Sequence, residues 1–102
     1  MLPPLPEADL RACLAVLYRA CIHARLLGYE GGQGGLSADR SRLLTDLMDA
    51  VHNIPDLLTR WPSCNQDLLR DTLADFDAKW SISGIQLLPV YDQIATEYRD
   101  PR

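Results

Sequence analysis

The chain has no apolar run approaching the ~20 residues a membrane span requires, no Cys-x-x-Cys pair and no excess of basic residues. It also shows no internal repeat and no alternating strand pattern of useful length. Each absence excludes something. Without a long apolar run no membrane partner is expected. Without an even, closely spaced set of cysteines, Cys13, Cys21 and Cys64 read as reduced thiols of a reducing cytosol rather than a disulfide framework. With 10 Lys and Arg against 14 Asp and Glu, the net charge is −4. The pI is about 4.9. Such a surface repels the phosphates that supply most nucleic-acid affinity, so no nucleic acid is expected as partner, and a basic protein is the easier one electrostatically. The opening Met1-Leu2-Pro3-Pro4-Leu5-Pro6 lacks the positive flank and long apolar stretch of a secretion signal, so the expected compartment is cytoplasmic.

What is present is an apolar rhythm of three and four residues. Leu69, Leu73, Phe76 and Trp80 follow it, as do Leu87, Tyr91, Ile94 and Tyr98. Leu43, Leu44, Leu47, Met48, Val51 and Ile54 repeat it earlier in the chain. That period gathers each set on one side of an α-helix, which must bury that side against another element. At 102 residues, 47% of them hydrophobic, the chain forms a single all-α domain, residues 1–102, with a core large enough to need no metal or disulfide staple. The architecture expected is an up-down four-helix bundle with a short extra helix near residues 55–61.

The helix boundaries follow from local chemistry. Residues 1–6 form a proline-stiffened extended lead-in. The first helix opens at Glu7, with acids near its positive end, and stops near Gly28. Its expected buried stripe is Leu10, Cys13, Leu14, Leu17, Cys21 and Ala24, with further alanines permitting close helix approach. Residues 29–36 carry four glycines and form a flexible connector. Its lack of a preceding strand and of a Gly-Lys-Ser/Thr ending argues against a phosphate cradle. Ser37 caps a second helix that runs to about Asn53. Pro55 breaks it and opens the short helix, which Pro62 closes. Ser63 or Asn65 caps a helix from Gln66 to Trp80. Ser81–Gly84 interrupts the chain before a last helix of roughly Ile85 to Arg99, whose start moves nearer to Leu88 if Pro89 lies in its first turn.

Three constellations could carry chemistry. Asp49 and His52 form a D-x-x-H step with Asp46 one turn earlier, one half of the carboxylate and histidine set that di-iron bundles use, and a candidate metal site if another helix adds acids. Asp67, Asp71 and Asp75 repeat at four residues opposite the apolar stripe of their helix. Like charges at that spacing cost a few tenths of a kcal/mol each. Asp75 can reach Lys79, and the stripe is a candidate docking face for a basic protein. Trp61, wedged before Pro62 at a bend, is a candidate interface anchor. No catalytic set is complete, and no cofactor is implied.

The segment Asp49-Ala50-Val51-His52-Asn53-Ile54-Pro55, then Trp61, then Phe76-Asp77-Ala78-Lys79-Trp80, resembles small acidic all-helical bacterial proteins of the immunity type. The resemblance implies a class of function, neutralisation of a protein partner such as a toxin, and transfers no site residue. The expected function is therefore a non-enzymatic protein-binding module, immunity-like or antitoxin-like, acting through Asp67, Asp71, Asp75, Asp46, Asp49 and Trp61 on a basic toxin or enzyme. A second reading is a structural homodimer that buries a spare apolar helix face. A third is a metal-dependent all-α hydrolase, similar to the nucleotide pyrophosphatases, using Asp46, Asp49 and His52.

Overall fold

The structure, a computed structural model, describes residues 6–61, 63–64 and 66–99. Helix α1 spans Glu7–Gly34, α2 Ala38–Val51, α3 Ile54–Arg60, α4 Gln66–Lys79 and α5 Leu88–Arg99, with a 3-10 turn at Ser81–Ser83 between the last two. No strand occurs among the described residues. The proline lead-in, Pro62 and Asn65 lie outside them or, for Pro6, immediately ahead of α1.

Helix α1 packs on α5 and α2, α2 on α4, and α4 on α5, which closes a ring of four main helices. The side-chain ties give the directions. Glu30 near the end of α1 meets Arg40 at the start of α2, and Asp46 of α2 meets Lys79 at the end of α4. Arg11 near the start of α1 meets Tyr98 near the end of α5. Ring neighbours therefore run antiparallel, the up-down order expected of short links. The molecule is elongated, 50 Å in its longest dimension.

The core holds Val16 and Leu27 of α1, Leu43 and Leu47 of α2, and Leu57 of α3. Leu69, Leu73 and Phe76 of α4 and Tyr91 of α5 join them. The apolar rhythm of α2, α4 and α5 thus faces inward, with two departures. Met48 and Tyr98 are exposed, and Tyr98 instead lies under the Arg11 guanidinium, 4.4 Å from its ring centre.

Helix α1 corrects the sequence reading in two ways. Its buried side consists of Ala8, Asp9, Ala12, Cys13, Val16, Ala20 and Leu27, whereas Leu10, Leu14 and Cys21 of the expected stripe are exposed. The small side chains lie inward because α5, its principal neighbour, brings the buried ring of Tyr91 to the interface, where its hydroxyl reaches Asp9, and a close-packed interior pairs large with small. The helix also runs through the glycine segment rather than stopping at Gly28, and ends at Gly35. Gly35 has φ +83°, a conformation that favours glycine, and its N–H donates to the Gly31 carbonyl at 2.9 Å. Helical glycine costs about 1 kcal/mol relative to alanine. Tertiary ties offset that cost here. Leu27 is buried, Leu36 lies over Gly31, and Arg40 donates twice to Glu30 at 3.0 and 2.6 Å across the corner.

Other boundaries fall where local chemistry puts them. The Arg40 N–H donates to Ser37 Oγ at 3.2 Å, which caps α2. Pro55 sits in the first turn of α3, and Leu88 opens α5 with Pro89 behind it. Ser63 does not cap α4. Its hydroxyl turns back to the Arg60 carbonyl at the end of α3.

Candidate functional site: an acidic groove between two helices

Helices α2 and α4 cross with a groove of about 180 Å³ between them, lined by Asp46, Asp49, Thr72, Asp75 and Lys79 over a floor of Ala50 and Phe76. The floor follows from the helical period: Ala50 and Phe76 lie on the buried sides of their helices, and the acids stand at the rims. Asp46 and Asp49 come from α2 and Asp75 from α4, so three of the acids singled out in the sequence meet at one place.

They do not stand in the same state. Lys79 Nζ pairs with Asp46 Oδ2 at 2.6 Å, and the Trp80 indole N–H donates to the same oxygen at 2.9 Å. The hydrogen bond from Lys79 is the main reason the Asp46 carboxyl lies below the usual range, with Trp80 adding to it and burial opposing it. Asp46 is therefore a staple between α2 and α4. Lys79 goes to Asp46 rather than to Asp75, as the sequence spacing had suggested. Asp49 and Asp75 are exposed on the two sides of the groove. Asp71 and Asp67 continue the exposed acidic edge along α4, opposite Leu69, Leu73 and Phe76.

The remaining candidates lie elsewhere. His52 closes α2, exposed, with its Nδ1 at 2.5 Å from the backbone carbonyl of Asp49 rather than on a carboxylate. Among the described residues no three His, Cys, Asp or Glu side chains come together in a way that could hold a metal ion. Trp61 is half-buried against the core. The three thiols are free, with Cys13 buried and Cys21 exposed. No described helix is long and apolar enough to cross a membrane.

Two polar clusters escaped the sequence reading. Asp77 of α4 accepts from the Leu87 and Leu88 N–H groups at 2.7 and 2.9 Å, and so caps α5 from another helix. The residues just ahead of α5, Ile85, Gln86 and Leu87, include no good cap, and that lack was the available signal. The second cluster is buried. Gln66 Nε2 donates to Asp9 at 2.7 Å and to the Tyr91 hydroxyl at 2.5 Å, while that hydroxyl donates to Asp9 at 3.1 Å. The network joins the first turns of α1 and α4 to α5. Burial is the main force raising the Tyr91 phenol, and burial next to Asp9 pushes the Cys13 thiol up to about 11. Each polar group has a partner, so the cluster reads as a lock on the bundle.

No family model matches the chain, and no curated protein or solved structure matches it.

Proposed function

We propose that the chain is a non-enzymatic protein-binding module of the immunity or antitoxin kind, which receives a basic side chain of its partner in the groove between α2 and α4. The observation that supports this reading is the meeting of Asp49 and Asp75, from helices distant in sequence, over the apolar floor of Ala50 and Phe76. An arginine or lysine has the matching shape, an apolar stem ending in a charge. Three carboxylates against the one ammonium of Lys79 leave the groove negative, and Asp71 and Asp67 extend that field along α4. Complementary charge of this kind raises association rates and their sensitivity to salt. Trp61 belongs to the same proposal as an aromatic at the rim of the partner's footprint, and the cytoplasm as its compartment.

The test reverses two exposed acids of α4, Asp75 at the groove and Asp71 on the edge that extends from it. The double variant Asp71→Lys/Asp75→Lys keeps the circular dichroism and melting of the parent, because both side chains are exposed. A partner captured from the source cell by the parent associates with the variant at least ~10-fold more slowly at low salt, and the difference closes as salt is added. Equal rates for parent and variant at every salt concentration would remove the groove from the function.

A further inference from the structure

We propose that the outward face of α1 is the interface of a symmetric dimer, formed by two copies of this chain crossing at Tyr18. This goes beyond the acidic groove, to which α1 contributes no residue.

The face is apolar where a monomer has no use for it. Leu10, Leu14, Tyr18, Ile22, Leu26 and Tyr29 are exposed along α1, with Tyr18 at 70%, Tyr29 at 69% and Leu14 at 50%. Leu14, Ile22 and Tyr29 lie within about 40° of the Tyr18 direction and Leu10 and Leu26 about 80° to either side of it. The row therefore covers the outward half of the helix, and its apolar area is on the order of 600 Å², at the top of the range for monomer patches and at the low end of what each partner buries in a standard interface. The same helix buries its alanines, so the large side chains are not spare core.

The order of these residues points to a second copy rather than to an unrelated helix. Leu10, Leu14, Tyr18, Ile22 and Leu26 stand four residues apart, with Tyr18 in the middle. A two-fold axis through Tyr18 places Leu14 against Ile22 of the second copy and Leu10 towards its Leu26, each in both directions. That reciprocity is what an isologous contact requires. A row repeating every four residues is also the ridge that packs two helices at a crossing near −50° rather than as a coiled coil.

The stripe has a receptor next to it. Between α1 and α5 runs an open groove of about 460 Å³, with Tyr18 and Ile22 on one wall and Val90 and Ile94 on the other, and with Arg19, His23 and Gln93 as polar groups within reach of a phenol hydroxyl. Each copy thus offers an aromatic anchor beside a cleft that accepts one, and tyrosine in such a cleft is a characteristic hot spot. Charge does not oppose the contact. Arg11 is held by Glu7 at 2.9 Å and stacked on Tyr98, which turns it towards α5. The same axis brings Arg25 opposite Arg11 of the second copy, whose charge is already met by Glu7, one turn away and exposed towards Arg25.

Sedimentation of the full chain over a range of concentrations is the test. A reversible dimer is expected, and Tyr18→Glu weakens it roughly 30-fold or more while leaving the helical signal unchanged. A second variant reads the geometry. With helix axes ~8–10 Å apart and Cα atoms ~2.3 Å from each axis, two Cα atoms on the two-fold axis come within about 5 Å, inside the ~4.4–6.8 Å that a disulfide spans. Tyr18→Cys in a Cys21→Ser/Cys64→Ser background therefore oxidises to a covalent dimer, and Met48→Cys in the same background does not. Three results would overturn the proposal: a monomer at every concentration, a dimer indifferent to Tyr18→Glu, or a monomer whose α1 face binds phosphatidylglycerol vesicles instead. Asp71→Lys/Asp75→Lys leaves the dimer intact, so failure of the groove and failure of the dimer are separable.

Discussion

Helices α1 and α4 both carry an apolar row and a contrasting row, yet they use them in opposite ways. In α4 the large residues Leu69, Leu73 and Phe76 are buried, and the contrasting row is Asp67, Asp71 and Asp75 in water. In α1 the buried row is Ala8, Ala12, Val16 and Ala20, and the large residues Leu14, Tyr18 and Leu26 are outside. The difference teaches that hydrophobic period finds the inward side only when the other side is polar. Helix α4 has one candidate face. Helix α1 has two, and the partner helix decides between them: α5 arrives with the buried ring of Tyr91, whose hydroxyl reaches Asp9, and the α1 residues around that contact are small.

The comparison can be broken most severely at the buried row of α4. Leu73 is fully buried, and Leu73→Ala is expected to cost about 2–5 kcal/mol in urea unfolding. Leu14→Ala, at an exposed position of α1, should change the stability of the monomer by less than about 0.5 kcal/mol. Next comes the small row of α1. Ala12 is also fully buried, so Ala12→Leu should cost about 1–3 kcal/mol by overpacking against its neighbours, with a slight further loss of helix propensity. A reading in which α1 buries its large face requires the reverse order for Leu14 and Ala12.

Smaller effects sharpen the picture of how α4 is tied to its neighbours. Asp77→Ala removes the acceptor for two N–H groups ahead of α5 and should cost about 1 kcal/mol, read as a lower melting temperature. Asp46→Asn should cost less than about 1 kcal/mol, since Lys79 is more than half exposed. Its sign with pH is definite. The folded Asp46 carboxyl lies below its unfolded value, so its stabilisation is complete above the ordinary carboxylate range near pH 4 and fades as pH falls through the lowered value. The urea midpoint of the parent should therefore drop more steeply on acidification than that of Asp46→Asn.

Much of the bundle was legible in the sequence. Ser37, Pro55 and Pro89 mark helix starts by local chemistry that no tertiary contact overrides. The glycine segment was not legible, because the Glu30–Arg40 tie that stretches α1 to Gly34 links residues on two helices. The candidate site divides in the same way. Spacing along α4 exposes Asp67, Asp71 and Asp75, but the convergence of Asp49 with Asp75 depends on how α2 crosses α4. Spacing also offered Lys79 to Asp75, and the crossing gave it to Asp46.

The two cysteines of α1 test the inversion most directly, because Cys13 lies on its small buried side and Cys21 on its outward side. A thiol reagent applied to dilute native protein, with each site followed by peptide mass, should modify Cys21 readily. It should reach Cys13 only through unfolding, since that thiol is both inaccessible and held up to about 11. Rapid labelling of Cys13 with protection of Cys21 in the folded monomer would show that α1 sits the other way round.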